Sequence, residues 1–188
     1  MNENITALLE SGEKVLFSTK AEKFDTLDKT NKSHILRKMI LALGITVAFI
    51  VFYVVKALET GGIKWGLIVI LAFLGGFIAF SDFLSSRKVR KLEYVITNKR
   101  VIAYGESDKS IFFKDIKKYN FSKDDDNHVS LLIGEKALAE PSKKWRLITD
   151  GPIDRNEDTQ EVLKYAFYAI EDAKKFEKTF EEAMAAVQ

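Results

Sequence analysis

Hydrophobic and polar residues are sharply segregated along this chain of 188 residues. Residues 39–55 form one apolar run, MILALGITVAFIVFYVV, and residues 65–80 form a second, WGLIVILAFLGGFIAF, and neither run contains a charged residue. Neither run alternates as a strand would, and neither has a polar helical face, so each predicts a helix that protein or lipid must enclose on all sides. At ~1.5 Å per residue each helix covers about 25 Å, and flanking apolar residues bring it near the length of a membrane span.

A short polar connector, residues 56–64 (KALETGGIK), separates the two runs and predicts an antiparallel helical hairpin. A hairpin buried in a soluble protein would need more surrounding chain than remains here, so we expect residues 35–84 to cross a membrane. A cleaved signal peptide does not fit, because the first run begins only near residue 39 and a second run follows it.

Basic residues flank the outer ends of the hairpin, whereas the connector carries only two lysines and a glutamate. The positive-inside rule then predicts a multi-pass protein of the cell (inner, cytoplasmic) membrane with both termini in the cytoplasm. The flanking basic residues are Lys32, Arg37, Lys38, Arg87, Lys88, Arg90 and Lys91.

After Lys91 the pattern changes to short alternating segments, which indicate β-strands. Asn98-Lys99 joins the first two segments as a two-residue hairpin loop, in which Asn tolerates positive φ. Residues 162–170 (VLKYAFYAI) could open one long helix, but we favour a strand followed by a helix at 172–187. The predicted strands are 92–97, 100–104, 110–114, 118–122, 128–133, 145–149 and 162–170.

Composition and motifs argue against catalysis. The chain has no cysteine, which excludes disulfides, thiolate metal sites and thiol nucleophiles. His34 and His128 lie far apart, and the sequence has no phosphate-binding glycine loop, dinucleotide fingerprint or nucleophile elbow. The acidic run Asp124–Asn127 (DDDN) lacks the spacing of a calcium loop and reads as a solvated hairpin tip. We therefore expect no enzyme, no cofactor and no metal, and the net charge of +2 predicts no nucleic-acid partner.

One basic stretch after the second run is a candidate for binding anionic lipid headgroups, although the cytoplasmic end of any membrane helix carries such residues. The candidate headgroup residues are Arg87, Lys88, Arg90, Lys91, Lys99 and Arg100.

The segment Glu93–Val101, EYVITNKRV, resembles the E-Y-x-[VIL]-T-N-x-R-[VIL] hairpin of membrane-anchored bacterial proteins that carry a PH-like (pleckstrin-homology) domain. Residues 9–16 (LESGEKVL) resemble the L-x-P-G-E-x-[VIL] opening of that family, with Ser11 in place of the usual proline. Residues 111–116 (IFFKDI) are similar to its strand and short corner. The resemblance implies structural roles for five hairpin residues, namely Glu93, Tyr94, Thr97, Asn98 and Arg100.

The resemblance implies a fold class of a membrane α-helical hairpin plus a mostly-β PH-like domain, a seven-stranded bent sandwich or barrel with a C-terminal capping helix. We expect a cytoplasmic N-terminal segment at 1–34, with an element docked on the domain, the transmembrane hairpin at 35–84 and the cytoplasmic PH-like domain at 85–188. The expected function is a non-catalytic integral membrane scaffold or accessory subunit that contacts membrane lipids. It would form a homo-oligomer or bind other membrane proteins through protein–protein interaction. An anionic-lipid-sensing membrane module is the alternative.

Overall fold

The computed structural model describes residues 3–29, 31–105, 109–134 and 163–187. The expected strand at 145–149 lies outside these residues. The elements are α1 (Glu3–Thr6), β1 (Val15–Lys20), α2 (Lys32–Thr60), α3 (Trp65–Val89), β2 (Glu93–Thr97), β3 (Arg100–Tyr104), β4 (Lys109–Phe112), a 3₁₀ turn (Phe113–Asp115), β5 (Tyr119–Lys123), β6 (Val129–Gly134), β7 (Leu163–Phe167) and α4 (Ala173–Ala185).

The chain divides into two compact units, and one is inserted in the other. The hairpin unit comprises Thr26–Leu84, and the second unit, called here the β-domain, combines Met1–Asp25 with Ser85–Gln188. The expected N-terminal segment 1–34 is therefore shared between the units, and its first part supplies strand β1. The docked N-terminal element is this strand. It pairs with β2, although the whole hairpin lies between β1 and β2 in the sequence.

Helices α2 and α3 are both long and apolar enough to cross a membrane, by length and composition. Each extends beyond its apolar run, because the flanking residues continue the helix until Gly61 ends α2 with a left-handed φ of +93°. Large apolar side chains on both helices are exposed, including Ile40 and Phe73 at 71% and 72%. Such an apolar surface suits lipid and suggests a membrane protein.

Polar contacts fasten the hairpin at both ends. At one end the Lys38 ammonium donates to Ser81 Oγ at 2.7 Å and lies 3.3 Å from the fully buried carboxylate of Asp82. At the other end the Lys64 backbone N–H donates to the Tyr53 hydroxyl at 2.9 Å. These contacts fix an antiparallel register.

Between these ends α2 and α3 are in tight contact at one glycine. A Cβ atom at Gly75 would overlap the side chain of Thr46, whereas a Cβ at Gly76 would meet open space. Gly75 is therefore required by the packing of α3 on α2, and Gly76 is not.

The β-domain contains two antiparallel sheets. One has the strand order β1-β2-β3-β4, and the other has the order β5-β6-β7. An isolated bridge between Ala21 and Ile170 connects the end of β1 to the segment after β7. Within the described residues this arrangement is compatible with a helical hairpin joined to a β domain with a C-terminal helix.

Aromatic side chains of α4 fill the space between the sheets. The ring centroid of Phe176 lies 6.5 Å from that of Phe17 on β1 and 6.4 Å from that of Phe121 on β5. Phe180 lies 5.6 Å from Phe113 in the 3₁₀ turn and 5.8 Å from Phe121. Because Phe176 and Phe180 are fully buried, α4 closes the core that both sheets share.

A second, smaller cluster covers the opposite face of the first sheet. Val95 of β2 and Ile102 of β3 are paired across the strands and pack with Ile5 of α1, and all three are buried. Successive strand residues point to opposite faces, so Val95 meets α1 while its neighbour Tyr94 faces the aromatic core. Helix α1 is thus an integral part of the β-domain.

The strand pattern of the β-domain is close to the sequence prediction wherever the structure describes it. The favoured strand within 162–170 is β7, and the helix expected at 172–187 is α4. The Asn98-Lys99 loop does not use the positive φ that Asn tolerates, because among described non-glycine residues only Asn127 and Ala169 have positive φ. The Thr97 hydroxyl instead accepts hydrogen bonds from the backbone N–H groups of Lys99 and Arg100, which closes the loop without a left-handed residue.

Candidate functional site

The most densely hydrogen-bonded polar site in the described β-domain joins the N-terminal loop to the β2–β3 turn. Arg100 Nε and Nη2 donate to the two carboxylate oxygens of Glu13 at 2.9 and 3.0 Å, so the ion pair is bidentate. The Thr97 hydroxyl donates to Glu13 Oε1 at 2.7 Å. Asn98 and Lys99 complete this site, and we call these five residues the polar clip.

The carboxylate of Glu13 is held in its charged form. Burial raises the pKa of Glu13, but hydrogen bonds from Arg100, the backbone N–H of Glu10 and Thr97 outweigh burial and leave the pKa below its ordinary value. Charge-assisted bonds of this kind are about twice as strong as neutral ones. The pair therefore contributes to folding rather than to proton transfer at neutral pH.

The turn residues Asn98 and Lys99 bind the backbone of the N-terminal loop. Asn98 Oδ1 accepts from the Lys14 N–H at 2.8 Å, and Asn98 Nδ2 donates to the Gly12 carbonyl at 3.2 Å. The Lys99 ammonium donates to the Ser11 carbonyl at 2.9 Å. The clip thus binds the loop through its backbone, and Gly12 supplies the positive φ of +74° that the loop requires.

Arg100 has further contacts that occupy its guanidinium group. Nη2 donates to the Leu8 carbonyl at 2.7 Å, and Nη1 donates to Ser110 Oγ at 3.3 Å. The guanidinium also lies 5.2 Å from the ring centroid of Phe112. Of the six candidate headgroup residues, Lys99 and Arg100 are therefore placed in the clip and not with the residues that end α3.

The remaining motif residues also make contacts within the fold. Glu93 accepts from the Ser18 hydroxyl at 2.9 Å across β1 and β2. Tyr94 donates from its hydroxyl to the Tyr168 carbonyl at 2.7 Å, and burial raises the pKa of Tyr94 well above its ordinary value despite that bond. The hairpin motif is physically explained by its contacts to the N-terminal loop, to β1 and to the segment after β7.

The other four candidate headgroup residues lie at the end of α3 and just beyond it. Arg87, Lys88 and Lys91 are exposed. Arg90 is half-buried, with Nη2 donating to Ser86 Oγ at 3.2 Å and its guanidinium 5.3 Å from the ring centroid of Phe24. Arg90 therefore packs against the domain rather than pointing away from it.

Strand pairing adds two lysines to this group that sequence reasoning missed. The N–H of Ala21 donates to the carbonyl of Leu92 at 3.0 Å, so the segment after β1 runs beside the segment before β2. Lys20 and Lys23 on that segment are exposed. We call the resulting set the basic collar: Lys20, Lys23, Arg87, Lys88 and Lys91. No sequence signal links its two halves, because the whole hairpin separates them.

The acidic run 124–127 differs from the solvated tip that its sequence suggests. Asp124 is buried, and its Oδ1 accepts from the backbone N–H groups of Asp126 and His128 at 3.0 and 2.8 Å. Its Oδ2 accepts from the Tyr168 hydroxyl at 3.0 Å. Only Asp125 and Asn127 are exposed, so the first carboxylate anchors the turn to the domain.

No protein-family model, no curated protein and no solved structure matches this chain. The residues themselves therefore carry the functional argument. The buried titratable groups of the described β-domain, Glu13, Tyr94, Asp124 and Tyr168, are each bonded to backbone or to a partner side chain. Among the exposed ionisable residues of the described β-domain, the basic collar contributes five cations.

Proposed function

We propose that this chain is a non-catalytic membrane-anchored scaffold or accessory subunit, whose β-domain is PH-like and assembles with itself or with other membrane proteins. The observation that carries the proposal is the insertion of the apolar hairpin between β1 and β2, two strands that pair with each other. Two chain connections hold the β-domain to the hairpin. A doubly connected domain is restricted in orientation far more than one on a single linker, which suits a scaffold.

The buried polar chemistry of the β-domain supports a structural role. Glu13, Asp124 and Tyr94 bind backbone groups or paired side chains in ways that fix loops and strands. A catalytic site instead needs titratable groups that converge on a space where a substrate can sit. Seven described strands in two antiparallel sheets, closed by α4, support the PH-like assignment.

The proposal is tested by the mass and composition of the native particle, taken from its own membranes in mild detergent. A particle with several copies of this chain alone would identify a self-assembling scaffold. A particle with other proteins would identify an accessory subunit. A chain that leaves the membrane without detergent, or that remains monomeric and alone in detergent, would contradict the proposal.

The proposed orientation, with both termini in the cytoplasm, has its own test. Because the chain contains no cysteine, single cysteines can be placed without background. In intact cells a membrane-impermeant thiol reagent should label Gly62→Cys in the connector and should not label Ser11→Cys until the cells are opened. The reverse pattern would invert the topology.

A further inference from the structure

We propose that the basic collar binds the phosphate groups of anionic phospholipids and so fixes the β-domain on the membrane surface. This inference rests on the proposed membrane function and adds the partner of the exposed charged surface. It differs from a site at Lys99 and Arg100, because those two cations are engaged in the polar clip.

The charge of the collar makes it a site for anions. Its five members are exposed, and the exposed carboxylates in the same two segments are Glu22 and Asp25. Glu93, the next acidic residue, already accepts a hydrogen bond from Ser18. The Glu171 N–H donates to the Lys20 carbonyl at 3.1 Å, which brings the exposed Glu171 and Asp172 near this surface as well. The five cations of the collar still outnumber the four exposed carboxylates, and they come from the ends of α3 and β1 and from the segments that follow β1 and precede β2.

The position of Arg87 and Lys88 on α3 points to a lipid as the source of the anion. Arg87 follows the exposed apolar Leu84 by three residues on the same helix, which is about 5 Å along the axis. The headgroup layer on each side of the hydrocarbon core is about 5–7 Å thick. If the apolar part of α3 lies in the hydrocarbon, Arg87 and Lys88 lie at the depth of lipid phosphates.

The packing of Arg90 gives the collar a defined geometry. Its guanidinium lies over the ring of Phe24, the residue after Lys23, and the Ala21–Leu92 hydrogen bond holds the same two segments together. Lys23 and Lys91 therefore flank a fixed contact. The backbone at both lysines is therefore positioned before phosphate binds, so less entropy is lost on binding than from an unpaired loop.

The experiment separates lipid binding from the topological role of basic residues. Lys20→Gln, Lys23→Gln and Lys91→Gln are combined, so that Arg87 and Lys88 at the end of the span remain. The matched control combines Lys117→Gln, Lys123→Gln and Lys174→Gln, which are also exposed lysines of the β-domain. The full chain is reconstituted in bilayers of phosphatidylcholine and phosphatidylglycerol, and native mass spectrometry counts the lipids that it retains.

We expect the wild type to retain phosphatidylglycerol over phosphatidylcholine, with a preference that falls as salt rises. In the collar variant the ratio of retained phosphatidylglycerol to phosphatidylcholine should fall at least about fivefold, while in the control variant it should stay at the wild-type value. Lys→Arg changes at the same three collar positions should also keep it there. Equal preference in the wild type and the collar variant, or an equal loss in the control, would overturn the lipid site.

Extraction of the same membranes at alkaline pH distinguishes the two proposals. A wild-type chain that alkali releases is not embedded, and the membrane function itself would then be wrong. An embedded wild-type chain without lipid preference would overturn only the lipid site.

Discussion

The hairpin and the β-domain use their aromatic residues in opposite ways. Phe52 and Phe73 in the hairpin are 63% and 72% exposed, whereas Phe176 and Phe180 in the β-domain are fully buried. The side chain is the same, so the difference lies in the medium that each region is built for. The β-domain gains stability by removing apolar surface from water, and the hairpin would gain nothing of that kind in lipid.

The two regions also differ in how their polar contacts are connected to one another. The hairpin is fastened by a few isolated contacts, such as that of Lys38 with Asp82. The polar clip instead connects the bidentate Glu13–Arg100 pair to Thr97, Asn98 and several backbone groups. We therefore expect the β-domain to lose more stability than the hairpin when one side chain is truncated.

The largest expected effect comes from the aromatic core. Phe180→Ala removes a ring packed against Phe113 and Phe121 and should lower the free energy of unfolding of the β-domain by about 3–5 kcal/mol. Phe73→Ala, the same change on the exposed surface of α3, should lower it by less than about 1 kcal/mol. Denaturant unfolding of the full chain in detergent, followed by near-ultraviolet circular dichroism, measures both. Equal losses would contradict the contrast between the regions.

The polar clip should give the next largest effect. Arg100→Met leaves the carboxylate of Glu13 buried without its main partner and should cost about 2–4 kcal/mol. Arg87→Met, the same substitution at an exposed arginine, should cost less than about 0.5 kcal/mol. The same unfolding measurement applies. A loss at Arg100 no greater than that at Arg87 would show that the clip does not stabilise the domain.

The sequence predicts the parts of the fold that rest on local pattern. An uninterrupted apolar run predicts α2 and α3, and alternation around a short loop predicts β2 and β3 to within one residue. Strand β1 is harder to predict, because its partner lies beyond the hairpin and Val15 pairs with Thr97. A single sequence carries no local signal for so distant a pairing.

The candidate site shows the same limit. The family resemblance points to Glu13 and to the Thr97–Arg100 turn as separate motifs, but only the folded chain shows that they bind each other. The sequence predicts a solvated tip at Asp124, because the acidic run lacks the spacing of a calcium loop, but the folded chain buries Asp124 and gives it a distant partner, the hydroxyl of Tyr168. Lys20 and Lys23 join the collar through strand pairing and not through sequence proximity.

A smaller effect is expected in the hairpin, where adjacent glycines give a matched pair. Gly75→Leu should push α3 away from Thr46 at a cost of about 1–3 kcal/mol, whereas Gly76→Leu meets open space and should cost little. Spin labels on cysteines at Phe49 and Phe77 would report the change as a longer distance in Gly75→Leu alone. Equal distances in both variants would mean that α3 does not pack through Gly75.

The smallest expected effect is the dependence of β-domain stability on pH. Because the folded-state pKa of Glu13 lies below its ordinary value of 4.5, its charged form stabilises the fold. This contribution is fully present above the unfolded-state pKa and is lost as pH falls through the folded-state pKa. Glu13→Gln lacks the titrating group, so the wild type should exceed it in unfolding free energy at neutral pH, and the difference should shrink on acidification below about 4.5.

An exposed carboxylate of the same domain provides the control for this titration. Unfolding of the β-domain is followed from neutral to acidic pH in the wild type, in Glu13→Gln and in Glu10→Gln, whose carboxylate is exposed and lies 3.5 Å from the Lys99 ammonium. The Glu10 variant should follow the wild type closely, because exposed ion pairs contribute little. If the gap between wild type and Glu13→Gln stayed constant with pH, Glu13 would stabilise the domain by packing alone, and the β-domain would resemble the hairpin in depending on shape more than on charge.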